Sequence, residues 1–448
     1  MHAFAFICLA AAAPSHALLD ARRVLRGSRR LDEVFPELVK LVASDAAASD
    51  NFGRSVAVDG GTIVIGAHGK DDLTGAAYVL RASDGEELAK LMASDAAAGD
   101  KFGYSVAIAG DTVVVGALEA GTGGRVYVFQ KSLLGSTYDQ VATLAATTAE
   151  AEDQFGASVA IVSGLTGATI VVGAPGSDGG RGAVHVFQKS LLGGTFELVV
   201  TRSADDAAAS DLFGNSVAID GDTVVVGAYK DDDGGTNSGS VYVFHATDAT
   251  DVGMIKLTAA ADAAAYDQFG ICVDIAGDTI VVGANGDDDG GTNSGSVYVF
   301  RTSDGGASYD QVAHLIAADA TGDEYFGKSA AIAGDTVVVG ARMDDDGGYD
   351  SGSAYVYRPS DDSYDQVAKL TASDAAQNDY FGFSVAIDGG TVVVGAYGDD
   401  DGGSTSGSAY VFEDDSSWWD YFSSDAAATR RLPQAMILLA AAAAMLAL

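Results

Sequence analysis

Residues 213–228 read FGNSVAIDGDTVVVGA, and the chain runs on through YKDDDGGTNS to GSVYVF at 239–244. NSVAID alternates apolar and polar residues, as a strand with one covered face does. GD is a two-residue hairpin turn, and TVVVGA is an unbroken apolar run that needs cover on both faces. GSVYVF follows the acidic loop and sets aromatics on alternate positions. A further strand of the kind QVAKLTA, at residues 366–372, completes the unit. Runs this short, rich in Val, Tyr and Phe and bounded by Gly and Asp, leave no room for a helix.

The unit recurs. Its Phe-Gly pair stands at Phe52-Gly53, Phe102-Gly103, Phe155-Gly156, Phe213-Gly214, Phe269-Gly270, Phe326-Gly327 and Phe381-Gly382, at spacings of 50, 53, 58, 56, 57 and 55 residues. Seven copies at that period mean one repeat architecture over residues 35–414 rather than several unrelated domains. Four antiparallel strands per copy, stacked face to face, predict an all-β fold: a seven-bladed β-propeller of four-stranded antiparallel blades. The fourth strand already occurs ahead of the first pair, as ELVKLVA at 37–43. After the seventh unit, EDDSSWWDYFSSDAAA at 413–428 has lost the strand pattern. The N-terminal strand should therefore complete the last blade and close the ring, removing the open edges that invite aggregation.

The pattern FGxSVA…GDTVVVGA…GSxYVF resembles the FG-GAP repeat of integrin alpha-subunit head domains and of many secreted bacterial and algal proteins, and residues 171–175 spell VVGAP. The likeness extends from about Phe35 to Phe412 and implies the propeller fold. It implies little about activity, because propellers serve enzymes, adhesins and scaffolds alike. The family holds calcium in a D-x-D-x-D-G loop between the first and second strands of some blades. Here that place is a two-residue hairpin such as AIDGDTV, so the site does not carry over.

A different loop is acidic. DDDGG lies between the second and third strands of units four to seven, and the first and third acids of each triplet are the candidate calcium ligands: Asp231 and Asp233, Asp287 and Asp289, Asp344 and Asp346, Asp399 and Asp401. Adjacent side chains in extended backbone point opposite ways, so only those two can face one ion. With two carboxylates in an open loop, any such site is weak, as in extracellular calcium modules, and an acidic turn without an ion is the competing reading. A second pair recurs as Asp45 and Asp50, Asp95 and Asp100, Asp374 and Asp379; these acids are expected to cap backbone N–H groups between blades.

The chain carries a formal net charge of -38, and only ten of its 63 acids are glutamate, as suits loops between strands. Such a field repels nucleic acid and favours cations and basic partners. Residues 1–17 match a secretory signal peptide, residues 18–34 form an Arg-rich leader or linker, and 415–424 form a decayed repeat or stem with Trp418-Trp419. Residues 425–448 match a GPI-attachment signal, with Ser424 the candidate attachment site and a greasy docking tail or a weak tail anchor the alternative. These segments predict a secreted protein held at the cell surface, contacting membrane only through its C-terminal anchor. Apart from Cys8 in the signal, the chain has one thiol, Cys272, where most other units have serine; a buried, inert thiol is expected. His68, His185, His245 and His314 each fall at a different place in the repeat, and no catalytic residues stand out. The predicted function is a monomeric recognition or adhesion module that binds protein or glycan through its loops, without catalysis. The alternatives are a carbohydrate-active enzyme with carboxylates at the ring mouth and a passive acidic coat. Binding predicts that residues unlike the repeat consensus cluster on one face.

Overall fold

A computed structural model describes residues 35–414, except 133, 134, 136, 165, 166, 191, 192, 248–252, 260, 261, 361 and 362. The segments read as signal, leader, stem and lipid signal, with Trp418, Trp419 and Ser424, lie outside the described residues. The strands form seven four-stranded antiparallel sheets. The first blade is β2 (Ser55–Asp59), β3 (Thr62–Ala67), β4 (Ala76–Arg81) and β5 (Glu87–Leu91), in that spatial order. Five further blades repeat it. The seventh joins β26 (Phe381–Asp388), β27 (Thr391–Ala396) and β28 (Ser408–Glu413) to β1 (Glu37–Leu41), the predicted closing strand. Lys40 of β1 stands opposite Tyr410, and Leu41 opposite Ala409.

The apolar second and third strands are buried on both faces, and core clusters form between neighbouring blades. One runs from Val64 and Val79 of the first blade to Val113, Val115 and Phe129 of the second. The Phe-Gly pair staples each such junction. Phe102 is fully buried; its ring lies 5.5 Å from that of Tyr127 in its own blade, while its backbone bridges to Gly75 of the blade before. The following Gly103 has φ +87°, and a Cβ there would sit 2.3 Å from the Ala76 carbonyl. Only glycine fits both the backbone angle and the space.

A second seam runs round the axis. The residue two places after the Phe-Gly glycine is serine in six units, and in five it donates to the glycine carbonyl of the next blade. Ser55 bonds Gly103 at 3.0 Å, Ser105 Gly156 at 2.8 Å, Ser158 Gly214 at 2.8 Å, and Ser329 Gly382 at 2.9 Å. Ser384 bonds Gly53 at 2.8 Å and so joins the last blade to the first. Between blades four and five, Ser216 instead accepts the Val273 N–H at 3.0 Å. Cys272 takes the serine place in blade five, its thiol 3.3 Å from the Gly327 carbonyl. Burial pushes that thiol up to about 12, as an inert structural cysteine requires.

Candidate functional site

The first strand of each blade leads away from one face of the ring and the second returns to it. The Asp-rich loops, the connections between blades and the residues just after each Phe-Gly pair therefore share that face. On it the structure resolves the acidic loops into a repeated device. In blade four, Asp231 accepts the Asp233 N–H at 2.9 Å, and Asp232 turns away to accept the Asn237 N–H at 2.7 Å. The first and third carboxylates are thus brought together and the middle one is spent on the turn. Asp287 with Asp289, Asp344 with Asp346, and Asp399 with Asp401 repeat the arrangement.

What the sequence reading missed is a lysine. In three of the four loops a fourth-strand lysine points its ammonium between the carboxylates. Lys256 meets Asp206, Asp231 and Asp233 at 2.7, 3.0 and 2.5 Å. Lys369 meets Asp319, Asp344 and Asp346 at 2.7, 2.8 and 2.6 Å. Lys40 meets Asp374, Asp399 and Asp401 at 2.7, 2.8 and 2.6 Å. Each lysine lies over the ring of its cross-strand tyrosine: Tyr242, Tyr355 and Tyr410. Each tyrosine hydroxyl in turn donates to the first acid of the triplet. Burial alone would lower these ammonium groups, but the hydrogen bonds to three carboxylates hold them well above the usual lysine range. A calcium ion in any of these three loops must displace the lysine.

Blade five differs. Its fourth strand presents His314, stacked on Tyr298 with ring centres 4.3 Å apart, and its Nδ1 lies 3.7 Å from an Asp289 oxygen. Asp287, Asp289 and His314 bring one ligand atom each within 4.8 Å of one another. Two carboxylates and an imidazole suit a borderline divalent cation better than calcium, which takes six to eight oxygens.

The paired acids between blades divide their work. Asp50, Asp100 and Asp379 accept the N–H of Ala47, Ala97 and Ala376 at 2.8, 2.8 and 2.7 Å, as expected. Asp374 is turned to a different partner set. It joins Lys40 and Tyr410. Asp45 likewise serves Lys90 and Tyr78, contacts that overcome its burial and draw it down to about 2.

Nearer the axis the repeat stops being uniform. The residue after the Phe-Gly pair is Arg54, Tyr104, Ala157, Asn215, Ile271, Lys328 and Phe383 in turn, and these seven line one cavity of about 310 Å³ where the blades converge. The residue after the second strand varies as widely: His68, Leu118, Pro175, Tyr229, Asn285, Arg342 and Tyr397. The two sets touch, His68 edge-on to Tyr104 at 5.7 Å and Tyr397 edge-on to Phe383 at 4.6 Å. Among the described residues the cavity carries one carboxylate, Glu119, 3.4 Å from Lys101.

The FG-GAP repeat family matches the chain over residues 35–80, 86–129, 138–187, 199–244, 253–300, 309–357 and 364–412, one match per blade. No curated protein matches the chain. Among solved structures, Sqt1 of Saccharomyces cerevisiae is similar, with 11% identity and a TM-score of 0.47 over 84% of this chain and 98% of that one. Seven matches at the spacing of the blades, on a ring that closes through its own first strand, leave one assignment: the chain belongs to the FG-GAP repeat family.

Proposed function

We propose that the protein is an extracellular surface recognition or adhesion module that engages a protein or glycan ligand with the face around the mouth of its channel. The observation that carries this is the contrast between a uniform scaffold and the seven different residues after the Phe-Gly pairs that line one cavity, joined there by Leu118 and Pro175 of a second variable set that starts the loops on the same face. A packed repeat needs its Phe, Gly, Val and Tyr. It does not need arginine, asparagine, proline and tyrosine in rotation at equivalent positions, and variety of that kind is what a specific ligand demands. The single carboxylate in the cavity favours this over glycoside cleavage, which calls for a pair of acids across the bond. Export and a lipid anchor belong to the same proposal, and release of the protein from intact cells by a phosphatidylinositol-specific phospholipase tests them. A divalent cation, if one is used, is proposed at Asp287, Asp289 and His314, where no lysine stands.

The test of the recognition surface is a labelled propeller applied to glycan arrays and to cells. A variant with Tyr229→Ala, Asn285→Ala and Tyr397→Ala should lose binding while its melting temperature holds. If that variant binds as the parent does, and changes in the hairpins of the opposite face abolish binding, the assignment of the face is wrong.

A further inference from the structure

The mouth of the channel is basic in a chain whose net charge is -38. Elsewhere on this face five lysines, Lys40, Lys70, Lys90, Lys256 and Lys369, make ion pairs with aspartate, while Lys230 lies over the Tyr229 ring. Arg54 and Lys328 do not. Among the described residues neither has a carboxylate within ion-pair distance, and both are half-buried in the cavity wall. Arg54 is held between the rings of Tyr104 and Phe383, 4.7 and 4.9 Å from their centres, and donates to the Tyr104 hydroxyl at 3.1 Å. Lys328 also lies over the Phe383 ring, 5.7 Å from its centre. Lys101 lines the same cavity.

The charges press on one another. Burial, then the nearby Arg342 guanidinium and, behind an opposing effect of Cys272, Arg54 lower the Lys328 ammonium to about 8. Burial, then Arg54 and Lys101, lower His68 to about 3. Glu119 answers only Lys101, so the charges of Arg54 and Lys328 are left without a carboxylate of their own, and like charges gathered this way cost stability at no benefit to packing. Aromatic clamping fixes the Arg54 fork so that little side-chain freedom remains to be lost on binding.

We propose that this mouth binds a small oxyanion, a phosphate or sulfate group either free or as the end group of an ester no larger than a monosaccharide, held by Arg54 and Lys328. The size limit follows from the cavity, whose 310 Å³ lies at the small end of ligand sites. The exclusion of long polyanions follows from the surrounding face, whose Asp-rich loops would repel any chain of phosphates or sulfates lying across it. A single anionic group entering along the axis meets Arg54 and Lys328 without lying across the Asp-rich loops, and the one carboxylate among the described residues of the cavity, Glu119, is paired with Lys101. The proposal rests on the recognition reading and names the chemistry of the group recognised.

The experiment titrates the full chain with inorganic phosphate, inorganic sulfate and glucose 6-phosphate, against sodium chloride at matched ionic strength, by calorimetry and thermal melt. Phosphate and sulfate should bind saturably and raise the melting temperature while chloride does not. Arg54→Gln and Lys328→Met, made separately so that one survives if the other fails to fold, should each weaken affinity at least tenfold. Arg301→Gln, which removes an ordinary outer cation paired with Asp335, should not. Tighter binding of glucose 6-phosphate than of phosphate supports an ester end group, and the reverse supports the free ion. Stabilisation that follows ionic strength alone, or that survives unchanged in both variants, overturns the proposal. The face assignment is tested separately by Tyr229→Ala with Asn285→Ala, residues that neither carry charge nor line the cavity, whereas Tyr397 packs on the Phe383 ring that holds Arg54.

Discussion

Replacing Lys369 with methionine keeps the aliphatic stem and removes the ammonium from among Asp319, Asp344 and Asp346. The three contacts are unequal. Asp319 and Asp346 have side chains 46% and 66% exposed, so each pair contributes about 0–1 kcal/mol. Asp344 is 2% exposed, and removing the partner of a buried charge costs about 3–5 kcal/mol. The Tyr355 hydroxyl at 2.7 Å and the Asp346 N–H at 3.0 Å still serve that carboxylate, which places the loss at the lower end, about 3 kcal/mol. Unfolding entropy of about 2.1 cal/mol/K per residue, over the roughly 380 residues of the ring, converts this to about 4 °C. Urea and thermal denaturation followed by circular dichroism measure both figures. Adding Asp344→Asn should recover most of the loss, since no charge then remains buried. A loss below about 1 kcal/mol, or a double variant no better than the single one, would refute the claim that the lysine neutralises a desolvated acid.

Calcium at 10 mM should move the melting temperature little, and any shift should vanish in Asp287→Asn with Asp289→Asn; a shift of several degrees that survives those changes would show that calcium displaces lysine in the other loops. Burial, then the neighbouring Asp399 charge, raise Asp379 to about 6, and burial with Asp287 raises Asp267 likewise, against the pull of one backbone N–H each. Folded chains thus hold these protons more tightly than unfolded ones, so their contribution is full below about pH 4 and lost as pH rises through 6. Asp45, lowered to about 2, acts oppositely and fails only as pH falls from about 4 towards 2. The melting temperature should therefore peak near pH 4–5 and decline towards 7.5, and Asp379→Asn with Asp267→Asn should flatten that decline. Gly103→Ala, forced to a positive φ and against the Ala76 carbonyl, should cost about 3 kcal/mol or prevent folding, whereas Cys272→Ser, restoring the residue of the other units, should stay within about 1 kcal/mol.

The fold was legible because one unit is written seven times. An apolar run such as TVVVGA is ambiguous alone, but seven copies at one spacing from a Phe-Gly pair are not, and the displaced ELVKLVA revealed the closure. The lysines were harder, since Lys369 lies 25 residues from Asp344, and Lys40 lies 359 from Asp399. A signal was nonetheless present. The units with both a fourth-strand lysine and an Asp triplet are four, six and seven, while units two and three lack the triplet and have Thr143 and Thr201 opposite the third-strand aromatic. The mouth escaped notice for a different reason. Its residues look like noise in the repeat until the ring closes and brings them to one axis.

Closure by β1 also fixes how the molecule bears load. Glu37 sits beside Phe412, and the Glu413 N–H donates to the Pro36 carbonyl at 3.2 Å, so the chain enters and leaves the ring at one point on its rim. Force drawing those two ends apart would act on the hydrogen bonds between β1 and β28 one after another, as in opening a zipper, rather than on all of them at once. The last blade is then the weakest link in tension, with the Glu37 carboxylate held by Ser373 and Lys40 held by its three carboxylates as knots along β1. A ring tethered by one end alone carries no such load, and can turn on its tether with its face free.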